Sequence, residues 1–368
     1  MILEHLNLSN VRNYVTLDFS PEPGLNVLTG PNAQGKSNLL EAIALLGTGK
    51  SFRTSRESEI VRSGLPVAAL SGEARVAAGT IRLACTLTLG GGALRKLYAV
   101  NGRSVRYATY LGRMRVVTFV PAHLELVSGP PRARRSLVNA ALAQESPAYY
   151  GALATYQKYV GQKNALLRGA VASDEALLAT YDERLVETGT RIVLARRAFV
   201  AALGARAQAV HRTWIGDREG DLELTYVSDV PVDVPTEDGV AAAFAARLRA
   251  QRAQERARRI SLVGPHRDDV AFRLGGTALA AYGSQGQQRT AVLALKVAEY
   301  GELEARSGEA PLLLLDDVLS ELDPQRQRAF IDAVGSFGQA FVTTTQAVDV
   351  PVAAAFRVRE ATLERIAS

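Results

Sequence analysis

Eight residues from Gly30 to Ser37, Gly-Pro-Asn-Ala-Gln-Gly-Lys-Ser, have the composition and spacing of a phosphate-binding loop. Glycine at the first and sixth positions lets the backbone curl so that successive N–H groups, and the N-terminus of a following helix, point at one anion. In such a loop Lys36 reaches the β- and γ-phosphates of a nucleotide, and the Ser37 hydroxyl is a ligand for Mg²⁺. The pattern needs a strand before it and a helix after it. Here it follows the apolar run Leu25 to Thr29 and opens a segment in which Leu39, Leu40, Ile43 and Leu46 recur at helical spacing. Gly30, Pro31, Asn32, Ala33, Gln34, Gly35, Lys36, Ser37 and Asn38 are therefore read together as the nucleotide-contacting set. The similar run Gly49-Lys50-Ser51 has Ala44 where the earlier glycine is required and is discounted.

Leu312 to Leu315 followed by Asp316-Asp317 reads as a fully apolar central strand of a parallel sheet ending in two carboxylates. At the C-terminal end of such a strand, beside a phosphate loop, Asp316 would hold Mg²⁺ through water and Asp317 would orient or deprotonate an attacking water. Paired acids after a strand also serve as helix caps or solvated residues, and the phosphate loop tips the reading toward chemistry. Ser284-Gln285-Gly286-Gln287-Gln288 is a small polar run at a helix start, by itself an ordinary turn and cap. His123 and His266 are set aside as metal ligands. His266 is read as a contact to the nucleotide or to the Ser284 loop, and Cys85, within a strand-like alternation, as a core residue.

The elements that must carry these residues fall into three stretches. Residues 1 to 120 read mainly as short strands, with one helix opened by the phosphate loop; Asn101-Gly102 marks a turn. Between residues 125 and 262 the chain becomes Ala-, Arg- and Leu-rich with helical period, an all-helical insertion broken by Gly151, Gly169 and the acidic loop from Asp229 to Pro235. From residue 263 the α/β alternation returns: strand Val270 to Leu274, helix Gln287 to Glu304, strand Leu312 to Asp316, helix Pro324 to Val334, strand Ala340 to Thr343. The expectation is an α/β domain built from residues 1–124 and 263–368, with residues 125–262 as a helical arm.

In this order, the segments resemble the ABC-type ATPases: Ser284 to Gln288 resembles their signature loop, and Ser320-Glu321-Leu322-Asp323 the D-loop. Within that superfamily the chain resembles, from end to end, the RecF family of bacterial recombinational-repair proteins. The segments that carry the likeness are Asn10-Val11-Arg12-Asn13-Tyr14, Gly30 to Ile43, Lys50-Ser51-Phe52-Arg53-Thr54, and Phe119-Val120-Pro121 leading to Gly129, Pro131, Arg134 and Arg135. Gly264-Pro265-His266-Arg267-Asp268-Asp269 and Leu315 to Asp323 are the most specific of them.

The resemblance implies an ABC-type head, a P-loop sheet with an antiparallel β-subdomain, and ATP with Mg²⁺ as ligands. It also implies an ATP-dependent homodimer in which Ser284, Gly286 and Gln287 of one subunit face the γ-phosphate held by the other. Such a dimer clamps double-stranded DNA, favours junctions with single strands at gaps, hydrolyses ATP slowly, and works with RecR and RecO so that RecA displaces SSB. Lys36, Asp317 and Ser284 would carry the chemistry. Three departures from the wider superfamily imply slow turnover. Asp317 stands where glutamate is usual, Thr343-Thr344-Thr345-Gln346 stands where a switch histidine is usual, and no Q-loop glutamine is evident between Phe119 and His123.

Composition fits this frame. The 368 residues are 47% hydrophobic and 22% charged, enough to bury a large core, and no apolar run approaches the length of a membrane span. The start shows no basic-then-apolar leader pattern, so a cytoplasmic protein is expected. A net charge of +6, with six lysines against 37 arginines, permits a polyanionic partner; the arginine bias is read equally well as base composition of the genome. Arg249, Arg252, Arg256 and Arg259 recur on one helix face, and Arg132, Arg134 and Arg135 open another helix. Each cluster is either a phosphate-contacting stripe or a solvated face. An SMC-like structural tether is the rival reading, and about 140 inserted residues are too few for its long coiled-coil arm. A transporter subunit would need a membrane partner, and a small-molecule kinase would leave Ser284 to Gln288 and Ser320 to Asp323 without a purpose.

Overall fold

The computed structural model describes residues 1–169, 174–215, 220–230, 232, 235–319, 322, 324–334, 337–345 and 352–366. In chain order the first elements are β1 (Ile2–Val11), β2 (Tyr14–Phe19), β3 (Gly24–Thr29), α1 (Lys36–Thr48), β4 (Val67–Val76), β5 (Gly79–Gly90), β6 (Ala93–Val100), β7 (Arg103–Val105), α2 (Tyr107–Tyr110) and β8 (Val116–Phe119). The middle holds α3 (Pro131–Glu145), α4 (Pro147–Arg168), α5 (Glu175–Ile215), β9 (Leu222–Val227), α6 (Glu237–Arg258), β10 (Asp269–Leu274), β11 (Thr277–Ala278) and α7 (Leu279–Tyr282). The last part holds α8 (Gln285–Ser307), β12 (Leu312–Asp316), α9 (Pro324–Val334), β13 (Gln339–Thr344), β14 (Ala354–Arg359) and β15 (Thr362–Ile366).

Contacts divide the chain into two compact units, one of Met1–Glu125, Val210–Gly216 and Gln285–Ser368, the other of Leu126–Ala209 and Asp217–Ser284. In the first, a mixed sheet runs in the order β15-β14-β3-β13-β12-β8, parallel except for the β14/β15 hairpin. Every residue of β12 and β13 is buried, as a strand covered on both faces requires. The second sheet, β2-β1-β4-β5-β6-β7, is antiparallel, and its strands alternate in burial because only one face is covered. Leu70, Leu83, Cys85 and Leu87 point into the core, so Cys85 is a packing residue. Helix α1 touches strands of both sheets. Its burial from Leu39 through Gly47 on nearly all sides, Glu41 included, follows from that position.

The second unit corrects the expected domain map. Its long helices α3 to α6 are accompanied by a three-stranded antiparallel sheet, β11-β10-β9. Strand Val270 to Leu274, expected in the α/β domain, instead pairs within this unit, from Asp269 opposite Val227 to Leu274 opposite Leu222. Its alternating pattern, with Val270, Phe272 and Leu274 buried, identifies a half-covered strand but not which sheet it joins. Among the described residues no helix is long and apolar enough to cross a membrane.

Candidate functional site: a phosphate loop and two carboxylates

The loop from Gly30 to Gly35 joins β3 to α1 and is shaped by residues that accept unusual backbone angles: Gly30 at φ 144°, Ala33 at 63° and Gly35 at 119°. A side chain at residue 30 would meet the Val358 carbonyl oxygen at 2.4 Å, and one at residue 35 would meet Asn13 and Tyr14 near 3 Å. The glycines are thus required by close backbone approach as well as by angle. Three neighbours hold the loop from outside. Asn13 donates from Nδ2 to Gln34 O (3.2 Å), Tyr14 from its hydroxyl to Gly35 O (3.1 Å), and the turn between β14 and β15 donates Glu360 N to Gln34 Oε1 (2.8 Å) and Ala361 N to Gln34 O (3.0 Å).

Lys36 is the first residue of α1, and its ammonium donates to Gly30 O (2.6 Å) and Pro31 O (2.8 Å), bracing the loop from within. Burial pulls its pKa below the ordinary lysine value, opposed by the nearby charges of Asp317 and Asp316. Strand register brings the two distant motifs together: Thr343 on β13 lies opposite Asp316 on β12 and opposite Leu28 on β3, just ahead of the loop. Asp316 closes β12; its Oδ1 accepts from the Thr343 hydroxyl (2.9 Å), opposite it in register on β13. Asp317 follows in the left-handed backbone region, φ 52°, with its N–H donated to the same Thr343 oxygen (2.8 Å).

The segments around residues 12 and 53 buttress the start of α1. Arg12 grips the buried Glu41 with two bonds of 2.8 Å, and the Ser51 hydroxyl donates to Glu41 Oε1 (2.5 Å). The bond to Glu41 raises the Arg12 pKa above its ordinary value. Arg53 donates to Asn38 Oδ1 (2.5 Å), while Asn38 Nδ2 donates to Asn13 Oδ1 (2.7 Å). Asn38, expected to contact the nucleotide, links two supporting segments. Asn13, Glu41 and Thr343 escape a reading from the motif alone, because what recruits them is strand pairing and helix packing rather than spacing.

The remaining sequence candidates are placed as follows. Ser284 is exposed, immediately ahead of α8, with Gly286 and Gln287 in the first turn of that helix. Ser320, Glu321 and Asp323 of the D-loop, and Gln346 of the switch segment, lie outside the described residues. His266 engages partners within the second unit: its Nδ1 shares a hydrogen bond with the Tyr156 hydroxyl (2.7 Å) and its Nε2 lies 3.3 Å from Ser261 O. Burial lowers its pKa to about 4. His123 stacks on Phe119, and burial lowers its pKa to about 3.

The arginine clusters divide according to their internal partners. Arg134 makes a fork to Asp269 (2.7 and 2.9 Å) and caps the carbonyls of Leu126 and Gly129; Arg135 donates to Asp268 O (2.5 Å). Arg252 pairs with Glu175 (2.6 Å) and Asp182 (2.5 Å), and Arg256 with Glu175. Arg134, Arg252 and Arg256 are thus ion-paired within the second unit, and Arg135 is hydrogen-bonded to its backbone. Arg132, Arg249 and Arg259 are exposed and make no ion pair among the described residues.

Comparison with known proteins agrees with this architecture. The family model described as the RecF/RecN/SMC N terminal domain matches residues 2–360. A DNA replication and repair protein RecF of Symbiobacterium thermophilum is 45% identical over 359 residues, covering 96% of this chain and 93% of its own. Another, of Thermosynechococcus vestitus, is 42% identical, covering 97% and 93%. A solved structure of the recombination mediator protein RecF with ATP, in the RecFOR pathway, superposes with a TM-score of 0.92 at 32% identity over 100% of this chain and 98% of that one. An Smc head domain from Pyrococcus furiosus, at 15% identity and a TM-score of 0.55 over 99% of this chain and 96% of that one, shares the fold.

Proposed function

The chain belongs to the RecF family, and from that premise we propose that it is an ATP-driven DNA clamp of recombinational repair and replication maintenance, cycling slowly between monomer and dimer. The observation that carries the proposal is the strand register that puts Asp316, at the end of β12, beside β13 and so next to β3 and the phosphate loop with Lys36. The loop's backbone N–H groups and the start of α1 would receive the phosphates, and Lys36 would exchange its carbonyl partners for the terminal ones. Mg²⁺ suits the donor set, since the Ser37 hydroxyl and the Asp316 carboxylate are both hard oxygens. When bound, Mg²⁺ neutralises charge on the phosphates. Asp317, displaced from the strand axis by its left-handed backbone, would orient the attacking water. Its short side chain supports slow hydrolysis, so that nucleotide state times residence on DNA.

Ser284, exposed at the head of α8, would complete the site of a second copy, which makes ATP the bridge between subunits. Arg132, Arg249 and Arg259 are the members of the two arginine clusters left to meet phosphate. The partners in this reading are double-stranded DNA, junctions with single strands at gaps, and RecR, RecO and RecA, in the cytoplasm.

Light scattering with and without ATP–Mg²⁺, repeated with a gapped duplex at two salt concentrations, tests the reading. Conversion of monomer to dimer by ATP, with the duplex held only by the dimer and released steeply by salt, is the expected result. An unchanged mass and DNA binding indifferent to ATP would overturn it.

A further inference from the structure

We propose that Thr343 is a positioning residue that sets both acidic groups of the site, an inference that rests on reading the site as an ATPase. Thr343 and Asp316 are register partners on the adjacent parallel strands β13 and β12, which brings the threonine side chain beside a carboxylate 27 residues away in sequence. A hydroxyl has one proton and two lone pairs. The proton goes to Asp316 Oδ1 at 2.9 Å, since the alternative acceptor, Leu315 O, is at 3.5 Å and uncharged. One lone pair is taken by the Asp317 N–H at 2.8 Å.

A single oxygen therefore fixes two things. It orients the Asp316 carboxylate by one of its oxygens, with the other making no hydrogen bond among the described residues. It also pins the Asp317 backbone, whose left-handed angle decides where the second carboxylate points. Thr343 is itself fully buried, so its role is exerted through the two aspartates rather than on a ligand directly. Threonine suits the post because its branched Cβ limits χ1 in a strand, so the hydroxyl has a defined direction. Valine would keep the shape and lose both bonds. Serine would keep the bonds and lose only the rotameric restraint.

The test uses the full chain and the variants Thr343→Val, Thr343→Ser and Thr343→Cys. Two quantities are read: the Mg²⁺ concentration that gives half of the ATP-dependent rise in melting temperature, and steady-state phosphate release. Thr343→Val is expected to bind ATP normally in EDTA, because Lys36 and its loop are untouched, yet to need about tenfold more Mg²⁺ and to turn over about tenfold more slowly. Thr343→Ser should return both to within about threefold of the parent, and Thr343→Cys, a weak donor, should fall between the two. A Thr343→Val protein with the parental Mg²⁺ requirement and rate overturns the proposal. If valine prevents folding, identical behaviour of the serine and cysteine variants overturns it instead. Absence of any ATP–Mg²⁺ response in the parent protein would remove the ATPase reading and the proposal with it.

Discussion

Replacing Gly30 by alanine separates backbone fit from backbone angle at the phosphate loop. The residue sits at φ 144°, where a side chain is strained, and its new Cβ would lie 2.4 Å from the Val358 carbonyl oxygen on β14. Ordinary contact begins near 3.4 Å, so loop and strand must part by about 1 Å. Strain at such an angle costs about 1–3 kcal/mol, and each β3–β14 hydrogen bond lost costs about 1 kcal/mol more. With one such bond lost the sum, about 2–4 kcal/mol, corresponds to a melting temperature lower by roughly 10 °C for a unit of this size. Gly102 is the control: it has φ 77° with no atom within 4 Å of a built Cβ, so alanine there meets only the angular penalty. That penalty is about 1–2 kcal/mol. Thermal unfolding with and without ATP–Mg²⁺ reads both effects. At a hundredfold excess over its dissociation constant, ATP stabilises a single-site protein by about 2.7 kcal/mol. Gly102→Ala should keep that increment and Gly30→Ala should lose it. If Gly30→Ala melts no lower than Gly102→Ala and keeps the ATP increment, close approach to β14 is not what shapes the loop.

Four further outcomes are expected. Ser284→Arg should bind ATP with parental affinity but sediment as a monomer at nucleotide concentrations that dimerise the parent; a normal dimer would sink the cross-subunit role of Ser284. The two-residue turn Glu360-Ala361 has positive φ at both positions, 51° and 58°, so Asn-Gly there should raise the melting temperature by a few degrees, about 1 kcal/mol, read by calorimetry. His266 is buried neutral with its pKa lowered from 6.5 to about 4, so the unfolded chain binds the extra proton first as pH falls. Stability should therefore hold above pH 6.5 and decline by about 3 kcal/mol as pH falls toward 4, a slope that denaturant titrations of His266→Gln should show flattened. Arg249→Ala and Arg132→Ala should each lower the salt dependence of duplex binding by about one counterion, whereas Arg252→Ala should instead destabilise the second unit by about 2 kcal/mol or more.

What is legible in the chain is local. The phosphate loop declares itself because its glycines, lysine and hydroxyl sit within eight residues, and the surrounding strand and helix are strongly patterned. The apolar run of β12 likewise announces a central strand ending in acids. Pairing across the chain is not legible. The β14/β15 hairpin, which grips Gln34 by two hydrogen bonds, lies more than 300 residues from the loop it shapes. Strand β10 is evident as a strand yet belongs to a different sheet from the one expected, because its partner β9 is a short run between long helices.

The arginine clusters show the same limit from the side of charge. Helical period places Arg249, Arg252, Arg256 and Arg259 on one face of α6, and spacing alone cannot say what that face meets. In the fold, α5 brings Glu175 and Asp182 against Arg252 and Arg256, while the buried Lys163 bridges Asp182 (2.7 Å) and Glu255 (2.6 Å). A buried charge without a partner costs several kcal/mol, so acids and bases inside the unit must be matched to one another before any remain for a ligand. Arg134 is consumed the same way by Asp269, while Arg135 donates to the Asp268 carbonyl. A basic stripe on a helix is thus evidence for nucleic-acid contact only after its internal partners are known. What is left over here, Arg132, Arg249 and Arg259, is a smaller and more specific set to test.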